Sequence, residues 1–401
     1  MTPVGVRPAR TADVVIIGGG VTGCSIAFHL AEQGVRDVLV LERRFLASGG
    51  TGRSVGVMRQ LYPTDASSRM VLHSLRVFQG FREVTGGGDA GYVQCGALLA
   101  VGPGQRDALA RTVEAQRGLG IDTRLIGPDD IRELDPRIDP FAVGAAVWEP
   151  ESGYGDPTGV TAGFARAAAR AGVVIEQGAE VVALEVARGA IEAVRLASGE
   201  RVAARVVVNA TGLWSPAVAS LAGVTLPIIV GRHPVFVVQR APEFGPPHPV
   251  YLDLASGTFL RPETGGLTLT GFLDADEPNH PLDPEALGSD VGFDEVARVM
   301  ERVSRCMPAL GEARYQRGYA GAFDITPDWM PLLDQTPVPG LYVAAGMSGH
   351  GFKLSPAVGR MMADLITRGR SDLADLQAFR LDRFAATPHD DDGAFSHSYL
   401  R

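Results

Sequence analysis

Val14-Val15-Ile16-Ile17 runs straight into Gly18-Gly19-Gly20-Val21-Thr22-Gly23, and this junction constrains the fold more than any other part of the chain. Four consecutive β-branched residues read as a strand buried on both faces, the kind found in a parallel sheet. The glycines spell G-x-G-x-x-G with a strand before and a helix after, the context that gives the pattern its meaning. Gly18 permits the tight turn, Gly20 lets a pyrophosphate approach the backbone, and Gly23 lets the helix pack on the strand. Ile26, Ala27 and Leu30 form the buried face of that helix, and Gly34 ends it. Val38 to Leu41 is a second strand. Glu42 caps it, 19 residues after Gly23, where an acid accepts hydrogen bonds from an adenosine ribose.

The same architecture returns far downstream. Val202 to Val208 is a strand feeding Asn209-Ala210-Thr211-Gly212-Leu213-Trp214, and Leu341 to Ala345 is another, feeding Gly346-Met347-Ser348-Gly349-His350-Gly351-Phe352-Lys353. The nucleotide domain is therefore expected to be discontinuous, over residues 12–85, 150–215 and 335–370. Residues 86–149 and 216–334 form the expected second, substrate-binding domain. Alternating segments there, Pro234 to Gln239 and Gly266 to Thr270, suggest an antiparallel sheet. Residues 1–11 read as a short tail and 371–401 as a C-terminal extension, polar and loose from about 388.

Lysine and arginine together number 37, and Lys353 is the only lysine. A position that keeps Lys against such a bias calls for a compact ammonium on a flexible stem, which Arg does not replace. Ser355-Pro356 carries the chemistry of a helix N-cap followed by proline at the first helical position. Val358, Met361, Met362, Leu365 and Ile366 then share one helical face. Gly346, Gly349 and Gly351 leave the preceding loop bare, so its N–H groups and a helix N-terminus can face an anionic ligand. A reduced flavin, negative on its pyrimidine side, would be favoured there. His350 either bonds backbone or touches that ligand.

Composition excludes some classes. The net charge of −9 without a basic patch argues against nucleic acid. Cys24, Cys95 and Cys306 have neither disulfide nor metal spacing, so no metal site is expected, and a reducing cytoplasm suits them. No apolar run is long enough to span a membrane.

With these segments in hand, the chain resembles the FAD-dependent D-amino-acid oxidase superfamily, in particular its sarcosine oxidase, glycine oxidase and proline dehydrogenase β-subunit branch. The resemblance covers roughly residues 12–370. It rests on the N-terminal glycine motif with Glu42, Asn209 to Trp214, Asp324-Ile325-Thr326-Pro327-Asp328, and Gly346 to Pro356. It implies α/β plus α+β architecture: a discontinuous Rossmann-like FAD domain and a substrate domain on a mixed, largely antiparallel sheet, with the active site between them.

The resemblance also assigns residues. FAD contacts fall on Gly18, Gly20, Val21, Thr22, Gly23, Glu42 and Arg43, and in the next loop on Ser48, Thr51, Gly52, Arg53 and Ser54. Further contacts fall on Val182, Ala210, Thr211, Gly212, Trp214 and Gly321, and at the C-terminal segment on Gly346, Gly349, His350, Gly351, Phe352 and Lys353. Arg59, in Val57-Met58-Arg59-Gln60-Leu61-Tyr62, and Lys353 match the cations that hold the substrate carboxylate, with His350 as the third catalytic candidate. Tyr251, Arg261 and Phe323, with Phe259 and Tyr319, are candidates for shaping the substrate pocket, though core packing is the competing role for most.

Departures from the family pattern matter equally. The cysteine that tethers flavin in some relatives is Gly321 here, and residues 45–58 hold no histidine, so FAD is expected to be non-covalent. The second lysine that sarcosine oxidase places over the flavin corresponds to Thr268, which weakens the oxidase reading. The implied activity is oxidation of an amine or amino acid bearing a carboxylate, by hydride transfer to flavin N5, giving an imine. Electrons then go to oxygen or another acceptor. Competing readings are the catalytic subunit of a multi-subunit dehydrogenase with a partner subunit, and a tailoring enzyme acting on a larger amine. A nicotinamide-dependent dehydrogenase would fit the first motif alone. A flavoprotein with a tRNA-modifying role is opposed by the acidic charge.

Overall fold

A computed structural model describes residues 10–273, 282–288 and 290–385. Two eight-stranded sheets carry the fold. In the first, the strand order is Leu332–Gln335, Leu341–Ala345, Arg201–Asn209, Arg10–Ile17, Val38–Glu42 and Val174–Gln177. The last five of these run parallel. Ile17 pairs with both Leu41 and Asn209, so Gly18, Glu42 and Ala210 emerge along one edge. Ligands bind at that carboxyl edge in open parallel sheets, because the chain there leaves the ladder and frees backbone groups.

The opening helix (Val21–Glu32) and the closing helix (Gly351–Arg368) cover one face of this sheet together with Asp65–Gln79 and Pro157–Arg170. The first strand starts earlier than the expected end of the tail. Arg10 and Thr11 already pair with Val202 and Ala203, and Arg10 is held by Glu176 at 2.6 Å and Glu200 at 3.3 Å.

The second sheet has the order Arg314–Ile325, Ile229–Gln239, Leu267–Phe272, Thr258–Glu263, Val250–Asp253, Ala97–Val101, Ala145–Glu149 and Arg124–Ile126. Every pairing is antiparallel except Val250–Asp253 with Ala97–Val101. The helix Phe293–Cys306 packs on its back, over a cluster that includes Phe236, Tyr251, Leu260, Val299 and Val303.

The closing helix begins five residues before the Ser355-Pro356 start expected from sequence. Ser348 (φ 48°) and Gly349 (φ 80°) turn the chain, His350 is the N-cap, and Pro356 lies inside the helix. Proline cannot donate to the Phe352 carbonyl four residues back. The Ser355 hydroxyl donates to that oxygen instead, at 2.8 Å. The described part of the C-terminal extension packs inward: Phe379 is buried in the main cluster and Leu381 N–H donates to Asp334 at 2.9 Å. The tail expected from about 388 lies outside the described residues.

Candidate active site

An elongated cavity of about 490 Å³ lies between the carboxyl edge of the first sheet and the near face of the second. One end is walled by Leu41 to Arg43, Ala179 to Val182, Trp214 and Leu221. The middle is walled by Gly18, Gly20 to Thr22 and Ser48 to Thr51. The far end is walled by Arg53 to Val55, His233, Val235, Gly321 to Asp324, and the start of the closing helix through Lys353.

The middle is built for close approach. Gly18 sits at φ 111°, and a Cβ there would fall 2.5 Å from the Ala210 carbonyl oxygen. The Val21 N–H at the helix start donates to Thr51 Oγ1 at 3.1 Å, a cap supplied by a distant segment. Glu42 does more than face a ribose. Its Oε2 accepts from Gly19 N–H at 2.8 Å, while Oε1 accepts from Arg44 N–H at 2.8 Å and Ser48 Oγ at 3.3 Å. The acid therefore braces both loops that line the middle of the cavity.

At the first end the Arg43 guanidinium stacks on Trp214 at 4.2 Å. Glu285 accepts from both, at 2.6 Å from Arg43 and 2.8 Å from Trp214 Nε1. Sequence reasoning missed Glu285, which comes from the other side of the cavity and carries no motif. Val182, Thr211 and Gly212 also stand on the wall, and Ser54 stands on it at the far end.

At the far end Lys353 is buried, and its ammonium donates to the Gly349 carbonyl at 3.1 Å. Burial first, then the like charge of Arg59, push its pKa well below the ordinary lysine value. Arg59 is buried behind it and is not on the cavity wall. Its guanidinium donates to the Leu61 carbonyl and lies 4.9 Å over the Tyr62 ring.

His350 is also off the wall. Its Nδ1 meets the Tyr62 hydroxyl at 2.8 Å, a partner that the sequence did not suggest. Burial, then Lys353 and Arg59, hold the imidazole well below its ordinary pKa, in the neutral form.

Other expected contacts are packing positions instead. A Cβ on Gly23 would come 2.0 Å from Gly18 O, on Gly52 2.6 Å from Ala47 O, and on Gly346 2.4 Å from Thr326 Cγ2. Gly23 and Gly52 let backbones meet, Gly346 makes room for the Thr326 side chain, and none of the three lines the cavity. Tyr251 is buried beneath the second sheet, its hydroxyl on Asp253 at 3.2 Å. Arg261 pairs with Glu263 and stacks on Tyr154 at 4.0 Å. Tyr319 packs against Val235, Val237 and Leu269. None of the three reaches the wall.

Phe323 does reach it, stacked on His233 at 4.3 Å, with Phe259 behind His233 at 6.1 Å. His233 went unnoticed in the sequence, although its two-residue spacing from Val235 in an alternating strand was an available signal.

Alternation also corrects the reading of Thr268. Leu269 pairs with Val237 and faces the cavity side with Val235, so Thr268, paired with Val238, points to the back. There its hydroxyl meets His248 at 2.9 Å and Arg240 at 3.5 Å. Asp324 is on the wall with Oδ2 buried and unpartnered among the described residues, and burial pushes its carboxyl up to about 6.

These residues fit FAD. Side chains at Gly18, Gly20 or Gly349 would fill the groove or strike its walls, the helix start and acid match a dinucleotide, and a buried ammonium stands at the far end. Among the described residues no helix is long and apolar enough to cross a membrane.

Comparison with known proteins agrees with this geometry. The profile of the family described as FAD dependent oxidoreductase (DAO) matches residues 13–365. Sarcosine oxidase subunit beta of Rhizobium meliloti is 31% identical over 385 residues, covering 94% of this chain and 89% of the relative. Human mitochondrial sarcosine dehydrogenase is 28% identical over 387 residues, and the chain spans only 41% of its length. L-proline dehydrogenase from P. horikoshii superposes with a TM-score of 0.85 at 29% identity, covering 94% of this chain and 99% of that one.

Proposed function

The chain belongs to the DAO family of FAD-dependent oxidoreductases, and on that footing we propose that its substrate is a small amine bearing a carboxylate, of the sarcosine, glycine or proline kind. The observation that carries this reading is Lys353, the only lysine of the chain, buried in the cavity wall with Arg59 behind it. A buried ammonium beside a second cation is costly unless an anion completes the site. A substrate carboxylate does so: Lys353 Nζ donates to it directly, and Arg59 adds its field. Each charge-assisted bond of this kind contributes roughly 1.5–3 kcal/mol.

Bound FAD supplies the acceptor of hydride equivalents from the substrate C–N bond. The protein supplies orientation. Lys353 anchors one end of the substrate, and the stacked Phe323 and His233 form an aromatic wall beside it. The product is an imine, which hydrolyses after release. FAD is held without a covalent link, since Gly321 carries no thiol and residues 45–58 hold no histidine.

With Lys353 as the only lysine, no second ammonium is there to stand over the flavin, which favours an acceptor other than oxygen. Likeness to a sarcosine oxidase beta subunit supports a partner subunit that receives the electrons. The three free cysteines suit a reducing cytoplasm.

Anaerobic titration tests the reading. Sarcosine, glycine and proline are added in turn, and flavin bleaching is followed. Lys353→Met should weaken the bleaching substrate roughly ten- to a hundredfold with FAD content preserved. Bleaching by carboxylate-free amines alone, at an affinity that Lys353→Met leaves intact, would overturn it.

A further inference from the structure

The segment that carries Arg59 has no sheet to hold it. Val57 and Met58 pair with Tyr154 and Gly153, and the ladder stops there. From Arg59 to Tyr62 the backbone is fixed by side chains instead. Gln60 N–H donates to Glu149 Oε2 at 2.7 Å, and the Gln60 carbonyl accepts from Gln116 Nε2 at 2.5 Å. The Leu61 carbonyl accepts from Arg59 itself, and the Tyr62 carbonyl accepts from Ser68 Oγ at 3.2 Å.

Glu149 is the charged member of this set. It closes the strand Ala145–Glu149 of the second sheet and is 1% exposed. Its Oε2 also accepts from Ser152 Oγ at 2.6 Å, while Oε1 has no hydrogen-bond partner among the described residues. A carboxylate this deep is costly to bury, and an apolar side chain of similar size would pack there at lower cost. Burial pushes its carboxyl up, opposed by Ser152, Gln60, the Arg59 charge and then the Leu61 N–H, so Glu149 and Arg59 lie within electrostatic reach.

We propose that Glu149 is a positioning residue for substrate-carboxylate binding: by holding the Gln60 N–H it fixes the backbone that sets Arg59 behind Lys353. The proposal rests on the carboxylate reading of Lys353 and Arg59, and it makes the second sheet, through Glu149, part of the anion site without touching the ligand.

The test uses the full-length holoenzyme and acetate as the carboxylate probe, with affinity read from the change in flavin absorption. Glu149→Ala should raise the acetate Kd about tenfold or more. Glu149→Gln should restore it to within about twofold, since the amide oxygen keeps accepting from Gln60 and Ser152 while the NH₂ takes the place of the unpartnered Oε1. FAD content and the thermal midpoint report folding separately. A merely structural role predicts that acetate affinity follows those two measures, and that result overturns the proposal.

Where Glu149→Ala does not fold, Ser152→Ala leaves the buried carboxylate in place but frees it to turn. A severalfold weaker acetate affinity supports the link, and an unchanged one overturns it. If Lys353→Met weakens acetate and Glu149→Ala does not, only the role of Glu149 falls. If neither variant changes it, the carboxylate site itself is wrong.

Discussion

Asp324 places a carboxyl on the cavity wall with one oxygen unpartnered, and burial lifts its pKa from the ordinary 3.8 to about 6. In the unfolded chain the group ionises near its ordinary value, so the folded state holds the proton over a wider pH range. The stability linked to this proton is fully present below about 3.8 and is lost as pH rises through about 6. Near pH 7.5 the buried charge then costs roughly 2–3 kcal/mol. Asp324→Asn should therefore be more stable than the parent at pH 7.5, by about that amount, with the difference closing as pH falls toward 4. Denaturant melts at both pH values measure this, and an advantage that is equal at the two would sink the assignment. Asp324 was legible only as a member of a motif, because its burial depends on pairing opposite Val230, a contact between segments far apart in sequence. Lys353 was legible by its rarity and by the resemblance of its segment. Arg59 was legible by resemblance, but its retreat behind the wall depends on Leu61 and Tyr62 folding back on it.

At the scale of elements, the strand, glycine turn, helix and second strand of the N-terminus could be read from local signals, since each carries its own period and its own stop. The closing helix could not be placed as well. Its Ser-Pro pair imitates a start, whereas the real start depends on two residues with positive φ just upstream. Its crossing with the opening helix is also long-range. A Cβ on Gly359 would fall 2.1 Å from Ser25 Oγ and 2.8 Å from His29 Nδ1, so the two helices meet where one has no side chain. Gly359→Ala should force them apart and destabilise the protein by about 1–3 kcal/mol. Because the opening helix presents the bare glycine turn and the closing helix presents Lys353, FAD affinity should fall along with stability. Thermal unfolding and FAD titration of the same variant check both. A variant that melts like the parent and keeps its FAD affinity would mean that the crossing relaxes freely.

Across the whole molecule, the discontinuous first sheet and the antiparallel second sheet were both foreseeable, because the downstream strands repeat the signature of buried parallel strands and the middle of the chain alternates. One contact that joins the two sides over the cavity was not, since it is made by a glutamate in an otherwise unremarked segment. Glu285 reaches from the stretch between Leu267–Phe272 and Phe293–Cys306 to Arg43 and Trp214, both on the wall at the first end. The Arg43 hydrogen bond, with lesser help from Trp214, holds its carboxyl below the usual range. The carboxylate is half exposed, at 51%, so salt screens the pair and its contribution is small. A small closing contact still shows in a rate. If Glu285 fastens the two sides over bound FAD, Glu285→Ala should release FAD roughly two- to fivefold faster at low salt. Added salt should speed release from the parent and bring it toward the variant, while release from the variant stays nearly flat. Fluorescence of freed FAD after dilution follows both. Equal rates at low salt, or a parallel salt response in the two proteins, would show that the cofactor leaves by a route that Glu285 does not guard.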